Sequence, residues 1–431
     1  MIFKSVNKLL RKVLGFKNLI ITTHDLRPRK GLLSLWVKPY KNGACCPKCH
    51  RRCNLITRGH PQRAQRTWRD VPVGGFSVAL HYAPHEVLCP THGRIQEDIP
   101  WAAPKSRVTY RLEYQLLRYC TVMTQKEAAA LLGIPQSTAA DILHRIIARY
   151  RKGHKIRGVK RIAIDEISYK KGHRYLTVVY DLERHCVLWV GEGKGRSTID
   201  TFFTEVLSKG QRSRIVAASS DMSNAYMGAI KEHLPNAVLV LDRFHIMKSL
   251  NGAVDQVRKE ERAKANAETR KTLKGLRFIL LKNPKNRTAF ERKTLAALER
   301  SNRRIYRACI LKDEISHFWE YTYLGSAAKF LDRWCTRTLL SRLEPMRKFV
   351  RTLRRHWDGV FASISGITSA VAEGINRVLR MAKNRASGFR STDNFINIIH
   401  LVAGDLDFPA QIPTQNRSPQ IKPILHKSLV P

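Results

Sequence analysis

The sequence predicts a multidomain α/β protein, and three observations predict it. Two Cys/His knuckles lie in an N-terminal stretch with little helical periodicity. A pair of helical runs joined by a glycine turn follows near residue 133. Beyond it, apolar strand-like runs alternate with helical ones and then give way to a long, basic, helical stretch.

A chain of 431 residues is too long for one ordinary core, and a hydrophobic content of 43% excludes a disordered chain. Lys and Arg number 78 against 34 Asp and Glu, a formal net charge of +44. Such self-repulsion is tolerated where the partner is a polyanion, because each phosphate contacted releases condensed counterions. The basic residues are spread along the whole chain, which favours nucleic acid over a ribosomal-type tail or a membrane surface. No run reaches the ~18 apolar residues of a membrane helix, so no membrane partner is expected.

The expected organisation is an N-terminal zinc-binding region (1–105), a helix-turn-helix (106–157), a large mixed domain (158–405) and a disordered, proline-rich tail (406–431). Residues 1–16 are basic and amphipathic. They lack the small-residue cleavage site and serine content of a transit peptide and read as a short helix. Without a secretion signal, the 9 Cys belong to a reducing compartment, as thiols or metal ligands. A cytoplasmic, nucleoid-associated protein is expected.

Cys46-Pro47-Lys48-Cys49 and Cys89-Pro90-Thr91-His92 each close a tight turn, and Pro47 and Pro90 occupy the same place in both. Cys46, Cys49, Cys89 and His92 together would supply four ligands to a structural, tetrahedral Zn²⁺. Cys45, Cys53, His50, His81 and His85 lie close enough in sequence to compete. The strand-like run from Trp68 to Tyr82 would have to fold between the knuckles.

In the next segment, Thr124 and Glu127 form a capping box. Ala128, Leu131 and Leu132 make an apolar face, Gly133 ends the helix, and Ile134 packs beneath the turn. Ser137 is placed as N-cap of a second helix that buries Ala140, Leu143 and Ile147, or the adjacent Ala139 and Ile142. In a helix-turn-helix the start of the second helix meets base edges, which assigns Gln136, Ser137, Thr138 and Asp141 to DNA, with Arg145 on phosphate.

From residue 161 the expected order is three strands in meander (161–169, 174–182, 185–193), a helix (199–207), a strand (214–221), a helix (224–234) and a strand (237–246). The first three should be antiparallel and the later ones parallel. That is the order of the ribonuclease H-like fold. The stretch from about 247 is almost wholly helical. Asp165 stands inside the first apolar strand and Asp221 directly after the fourth. A carboxylate in such a place needs a partner or a cation. Glu373 is the only acid on the amphipathic helix near residues 369–385, with Asn376, Arg377, Arg380 and Lys383 on its polar side. Arg377 and Arg380 are suited to a DNA backbone. Three converging carboxylates repel one another, so their assembly points to Mg²⁺ or Mn²⁺. Glu166, Asp181 and Asp242 are read as acids outside the set, Glu166 because it points to the opposite face from Asp165.

Taken together these residues resemble the ISL3 family of insertion-sequence transposases over about residues 30–405. The residues that carry the resemblance are the first knuckle, Trp68 to Pro72, the helix-turn-helix, Ile164-Asp165-Glu166, and Lys171 to Tyr175. They continue with Ser220-Asp221-Met222, Tyr226, Asp242-Arg243-Phe244-His245, Ala372 to Asn376, and Gly388-Phe389-Arg390. The second knuckle departs from the family pattern, with Thr91 and His92 where further cysteines are usual. The resemblance implies a DDE transposase with Asp165, Asp221 and Glu373 as catalytic triad on two metal ions, and a large helical insertion at about 247–360. It implies double-stranded DNA partners, the terminal inverted repeats and the target, held by a homodimer or larger assembly. The alternative is a catalytically silent DNA-binding regulator derived from such an enzyme.

Overall fold

A computed structural model describes residues 2–16, 19–39, 44–56, 64–153, 156–170, 172, 174–365 and 370–406. The tail expected to be disordered lies, from residue 407 on, outside the described residues. The chain begins with helix α1 (Ile2–Val13) and strands β1 (Leu19–Arg27), β2 (Leu32–Pro39), β3 (Asn54–Leu55), β4 (Arg66–Val73), β5 (Phe76–Tyr82), β6 (Glu86–Cys89) and β7 (Gly93–Gln96). Helices α2 (Tyr110–Val122), α3 (Gln125–Leu131) and α4 (Gln136–Gly153) come next. Then follow β8 (Arg161–Lys170), β9 (Arg174–Asp181), β10 (Cys186–Glu192), α5 (Arg196–Thr201), α6 (Lys209–Arg212), β11 (Ala217–Ser220), α7 (Asn224–His233) and β12 (Val238–Leu241). The remainder is helical: α8 (Arg243–Lys264), α9 (Ala267–Gly275), α10 (Arg277–Leu281), α11 (Ala289–Ser301), α12 (Arg303–Glu314), α13 (Leu324–Leu340), α14 (Glu344–Arg355), α15 (Trp357–Ala362), α16 (Ala370–Arg385) and α17 (Thr392–Ala403).

Two compact units result, one from residues up to 155 with those from 377 onward, the other from Ile156–Asn376. The sequence grouped 158–405 together; in the structure the division falls inside α16, and α17 belongs with the N-terminal unit. The reason is packing. Ile398, Leu401 and Leu406 are buried in the same core as Leu112, Leu116, Ala128, Ala139, Leu143 and Ile147.

In the first unit the sheet order is β1-β2-β5-β4, with β2 and β5 parallel and the outer pairings antiparallel. Gly74 and Gly75 both take positive φ (57° and 82°) in the β4–β5 turn, the conformation that matches the twist of a two-residue hairpin loop. Leu35, Leu80 and Trp68 fill the core below it, and Trp101 stands edge-on to both Trp68 and Tyr82. The hairpin expected between the knuckles is therefore present, but it pairs into this sheet. The knuckles sit by a separate three-stranded sheet, β3-β6-β7. Asp70, buried in β4, accepts from the Thr109 hydroxyl (2.5 Å) and lies 3.3 Å from Arg111, while Thr109 also caps α2. The Trp68–Pro72 segment thus ties sheet to helix.

The α3–α4 pair differs from expectation at three residues. Leu131 is 58% exposed and Ala129 is buried in its stead, so the inward stripe is Ala128, Ala129 and Leu132, and the two alanines let neighbouring helices approach. Helix α4 starts at Gln136, which leaves Ser137 inside its first turn and not at the cap. Arg145 does not project to solvent as a free cation: its guanidinium pairs with the buried Glu113 of α2.

The second unit is built on the sheet β10-β9-β8-β11-β12. Strands β8, β9 and β10 form an antiparallel meander, and β11 and β12 run parallel to β8. The expected directions are observed. The last strand is shorter than expected: Asp242 accepts from the Phe244 amide (2.9 Å) and starts α8, so residues 243–246 are helical. Helices α8 to α15 gather around Leu250, Val254, Phe318, Leu331, Trp334, Met346 and Val350. Among the described residues no helix is long and apolar enough to cross a membrane.

Candidate functional site

Two clusters bring together residues far apart in sequence. The first is the Cys/His group of the N-terminal unit. The turn after Cys46 is closed by the His50 amide donating to the Cys46 carbonyl (2.9 Å), with His50 at positive φ. Cys89 ends β6, and Gly93 at φ 65° returns the chain into β7. The four ligand atoms of Cys46, Cys49, Cys89 and His92 all lie within 4.8 Å of one another. Cys46 Sγ to His92 Nδ1 and Cys49 Sγ to Cys89 Sγ are each 3.6 Å, and Cys89 Sγ to His92 Nδ1 is 3.7 Å. A tetrahedron with Zn–S of about 2.3 Å and Zn–N of about 2.05 Å has edges of about 3.5–3.8 Å, so the donor set fits such an ion.

The electrostatics favour thiolate at two of the three cysteines of that set, Cys89 and Cys46. Burial works to raise the Cys89 thiol, but the amides of His92 and Thr91 and the thiols of Cys49 and Cys46 outweigh it and bring it down to about 7. Burial opposes Cys46 too, yet the amides of Cys49 and Lys48 lower it. Thiolates are what a metal binds. The Arg51 amide lowers Cys49, but burial and the thiols of Cys89 and Cys46 outweigh it and raise that thiol. Cys45 is raised as well, by burial and by nearby Asp98.

The second cluster lies in the sheet of the second unit. Ala163 of β8 and Ser219 of β11 are register partners in parallel strands. Asp165 follows two residues later in β8 and Asp221 directly after the end of β11. Both acids thus stand beyond the last residues that pair these two strands, at the same end, and the charge of Asp221 acts on Asp165. Ser220 pairs with Leu241 in the same way, which brings Asp242 level with Asp221. Asp165 is pushed above the usual carboxylate range by burial and by Asp221 and Asp242, against the pull of the Glu166 amide and His245. Glu166 is likewise raised by burial, with Lys194 and Lys248 pulling down and Asp221 and Asp165 pushing up. Tyr226 nearby is pushed up to about 12, first by burial. This is a cluster of hard oxygen donors whose mutual repulsion His245, Lys194 and Lys248 offset only in part, a donor chemistry suited to a divalent cation.

Side chains fix these acids. The Glu166 amide donates to Asp165 Oδ1 (2.8 Å), and the Ser223 amide to Asp221 Oδ1 (3.0 Å). Asn376 Nδ2 donates to Asp165 Oδ2 (2.6 Å), and the buried Tyr180 hydroxyl donates to Asn376 Oδ1. His245 Nε2 stands 4.0 Å from Asp165 and 3.7 Å from Asp242. Glu373 is exposed on α16, one turn before Asn376 on the same face. The acids do not form a closed ligand set: among the described residues, only the Cys/His group brings three or more such atoms mutually within 4.8 Å.

Of the residues assigned to DNA, Gln136, Ser137 and Asp141 are exposed on the first turns of α4, Thr138 is half-buried, and Arg377 and Arg380 are exposed on α16. Asp181 is buried and caps its own turn through the Glu183 and Arg184 amides (2.8 and 3.0 Å). Sequence reasoning set Asp242 and Glu166 outside the cluster, yet Asp242 acts on Asp165, and Asp221 and Asp165 act on Glu166. Acids on opposite faces of a strand, or at the end of a nearby strand, still share one field. It also missed two neutral or basic neighbours, His245 and Asn376. His245 was visible only as part of a motif. Asn376 was placed on a polar stripe with no partner, since nothing local announces a hydrogen bond to a residue 211 positions away.

Comparison with known proteins bears on this arrangement. Residues 162–399 match a transposase family model of the ISL3 DDE type. Residues 97–147 match the helix-turn-helix domain of transposase family ISL3. The chain is 30% identical over 371 residues to the transposase for insertion sequence element IS1001 of Bordetella parapertussis, covering 84% of this chain and 89% of that protein. It is 28% identical over 403 residues to the transposase for IS1557 of Mycobacterium tuberculosis, covering 87% and 89%. The Drosophila P element transposase strand transfer complex matches 68% of this chain and 90% of that one at 11% identity and a TM-score of 0.34, too slight a likeness to bear on the fold. With more than half its length matched by the one model and its helical pair by the other, the chain belongs to the ISL3 family of transposases.

Proposed function

We propose that this chain is the transposase of an insertion sequence: it binds the element ends, cuts the DNA there and joins it to a target. The single observation that carries the chemistry is that Asp165 of β8 and Asp221, directly after the parallel neighbour β11, stand at the same end of the sheet and act on one another, with the α16 helix pinned to Asp165 through Asn376. The strand order, an antiparallel meander followed by parallel strands joined through α7, supports a ribonuclease H-like reading of this unit, with the α8–α15 helices as its insertion.

Asp165, Asp221 and Glu373 would hold divalent cations of the Mg²⁺ or Mn²⁺ class, a pair of them at a phosphodiester. When bound, these supply Lewis acidity to the attacking and leaving oxygens. The rest falls to the protein. Asn376 and the Glu166 amide hold the two oxygens of Asp165 in place. Lys194 and Lys248, whose charges act on Glu166, put positive charge beside the acids where a DNA backbone would lie. Gln136, Ser137 and Asp141 offer polar groups at the exposed start of α4 for base edges, and the chain's charge of +44 supplies affinity for phosphate. The Cys/His group would hold a structural Zn²⁺ that stabilises a small sheet with little core of its own. Two ends are handled in one reaction, which favours a dimer or larger assembly on DNA.

The test is a duplex carrying an element end, incubated with Mg²⁺ and target DNA. Wild-type protein should give cleaved and joined products. Asp165→Ala should bind the same duplex and give neither, with activity down more than about 100-fold, beyond what loss of an outer-sphere partner costs. Binding by both proteins with cleavage by neither would reduce the chain to a DNA-binding regulator.

A further inference from the structure

The acid cluster contains a neutral side chain that bonds one of its acids and shares a helix turn with another. Asn376 is buried, and its amide nitrogen donates to Asp165 Oδ2 at 2.6 Å. Its amide oxygen accepts from Tyr180, which is fully buried in β9, the strand next to β8. The order matters. A phenol hydroxyl donating to Oδ1 forces the NH₂ group toward Asp165; the flipped amide would set oxygen against carboxylate. Asp165 is then gripped at both oxygens, by Asn376 on Oδ2 and by the Glu166 amide on Oδ1. Each oxygen keeps a lone pair for a cation.

The same residue bears on Glu373. It lies three positions earlier on α16, so the two side chains are neighbours one turn apart. A helix bonded to the central strand at Asn376 has its height and rotation set there, and Glu373 is carried with it.

We propose that Asn376, oriented by Tyr180, is a positioning residue of the active site: it locks the Asp165 carboxylate and sets where Glu373 stands along β8. It touches no reacting atom and acts through the acids it holds. The inference rests on Asp165 and Glu373 being metal ligands, and the experiment separates the two claims.

Mn²⁺ binding to the zinc-loaded, full-length protein is followed by electron paramagnetic resonance, beside cleavage of end duplex as a function of Mn²⁺ concentration and end binding by gel shift. Asn376→Ala should weaken Mn²⁺ binding about 10–100-fold, the cost typical of losing an outer-sphere partner. Its cleavage should recover as Mn²⁺ is raised, and end binding should stay within about twofold. Asn376→Asp keeps the volume but sets a carboxylate against Asp165, so it should be at least as damaging; packing alone would make it mild. Tyr180→Phe should shift Mn²⁺ affinity in the same direction by a smaller factor, and it serves where the Asn376 variants fail to fold. Wild-type Mn²⁺ affinity in Asn376→Ala or in Tyr180→Phe, with binding abolished in Asp165→Ala, would overturn the inference alone. Wild-type affinity in Asp165→Ala would overturn the metal-ligand reading and this inference with it.

Discussion

Asp165 shows what a residue's neighbours in space add to its neighbours in sequence. An acid among Ile162, Ala163 and Ile164 announces that it needs a partner, and the sequence says no more than that. The partners prove to be an amide from its own strand, a carboxamide from α16, and the fields of Asp221, Asp242 and His245. Asp242 was set aside as an outsider, yet β12 carries it level with Asp221, where it caps α8 and still raises Asp165. A different acid, Asp200, illustrates the opposite balance. Burial works to raise it, but Arg196 and His233 hydrogen-bond to it and hold it below the usual carboxylate range. A depressed folded-state value means stability that is present above the unfolded value of about 3.9 and lost as pH falls through the folded one. Asp200→Asn should therefore destabilise the protein by about 0.5–1 kcal/mol at pH 7, a figure kept small because both partners are partly solvated. Urea unfolding should show that difference shrinking as pH falls below the unfolded value and through the lower folded one.

At the scale of elements, local rules were legible where the element closes on itself. The capping box of α3 is present as read: Thr124 accepts from the Glu127 amide, and Glu127 reaches back to the Thr124 amide. Thr124→Ala should cost about 1 kcal/mol, read as a lower midpoint in thermal or urea unfolding of the protein. The buried stripe of the same helix was not legible, because a seven-residue helix offers too few turns for periodicity to choose between Leu131 and Ala129. The knuckles were legible for the same reason as the cap, since each Cys pair or Cys/His pair lies within one turn. We expect about one zinc per chain in protein purified without chelator, the stoichiometry of a closed four-ligand site. Stripping it, or changing Cys89→Ser, should raise amide exchange across residues 44–56 and 86–96 while the β8–β12 sheet stays protected. Unchanged exchange after metal removal would show that the site contributes nothing to folding.

For the molecule as a whole, α17, the last helix among the described residues, belongs to the unit that carries the helix-turn-helix. Phe389 stacks on Phe395, and Ile398, Leu401 and Leu406 complete the core that α2, α3 and α4 begin. The Tyr150 hydroxyl at the end of α4 donates to the Asp405 carbonyl. Each buried Leu or Ile contributes about 1.5–3 kcal/mol, so deleting them together removes much of a total stability of about 5–15 kcal/mol. A chain ending after Ser391 should lose end binding and expose α2–α4 to protease, while the Cys/His site keeps its metal. A truncated chain that binds ends normally would show the helix pair to be self-sufficient. The sequence placed this segment in the catalytic domain, because a helix pattern says that a face is apolar and not which distant face covers it.

By itself, the sequence determined what depends on short separations and on composition: the basic footprint, the two knuckles, the cap and turn before α4, the alternating strands, and the acids that stand out among apolar neighbours. Tertiary structure decided what depends on register and on packing between distant segments. Parallel pairing of β8 with β11 brings Asp165 and Asp221 to the same end of the sheet, a bond across 211 residues brings Asn376 to Asp165, and α17 returns to cover the helix pair. The physical reason is that hydrogen bonds and caps within a turn are fixed by the residues that make them. Which strand or helix meets which is settled by the burial of whole faces, a property no local stretch carries.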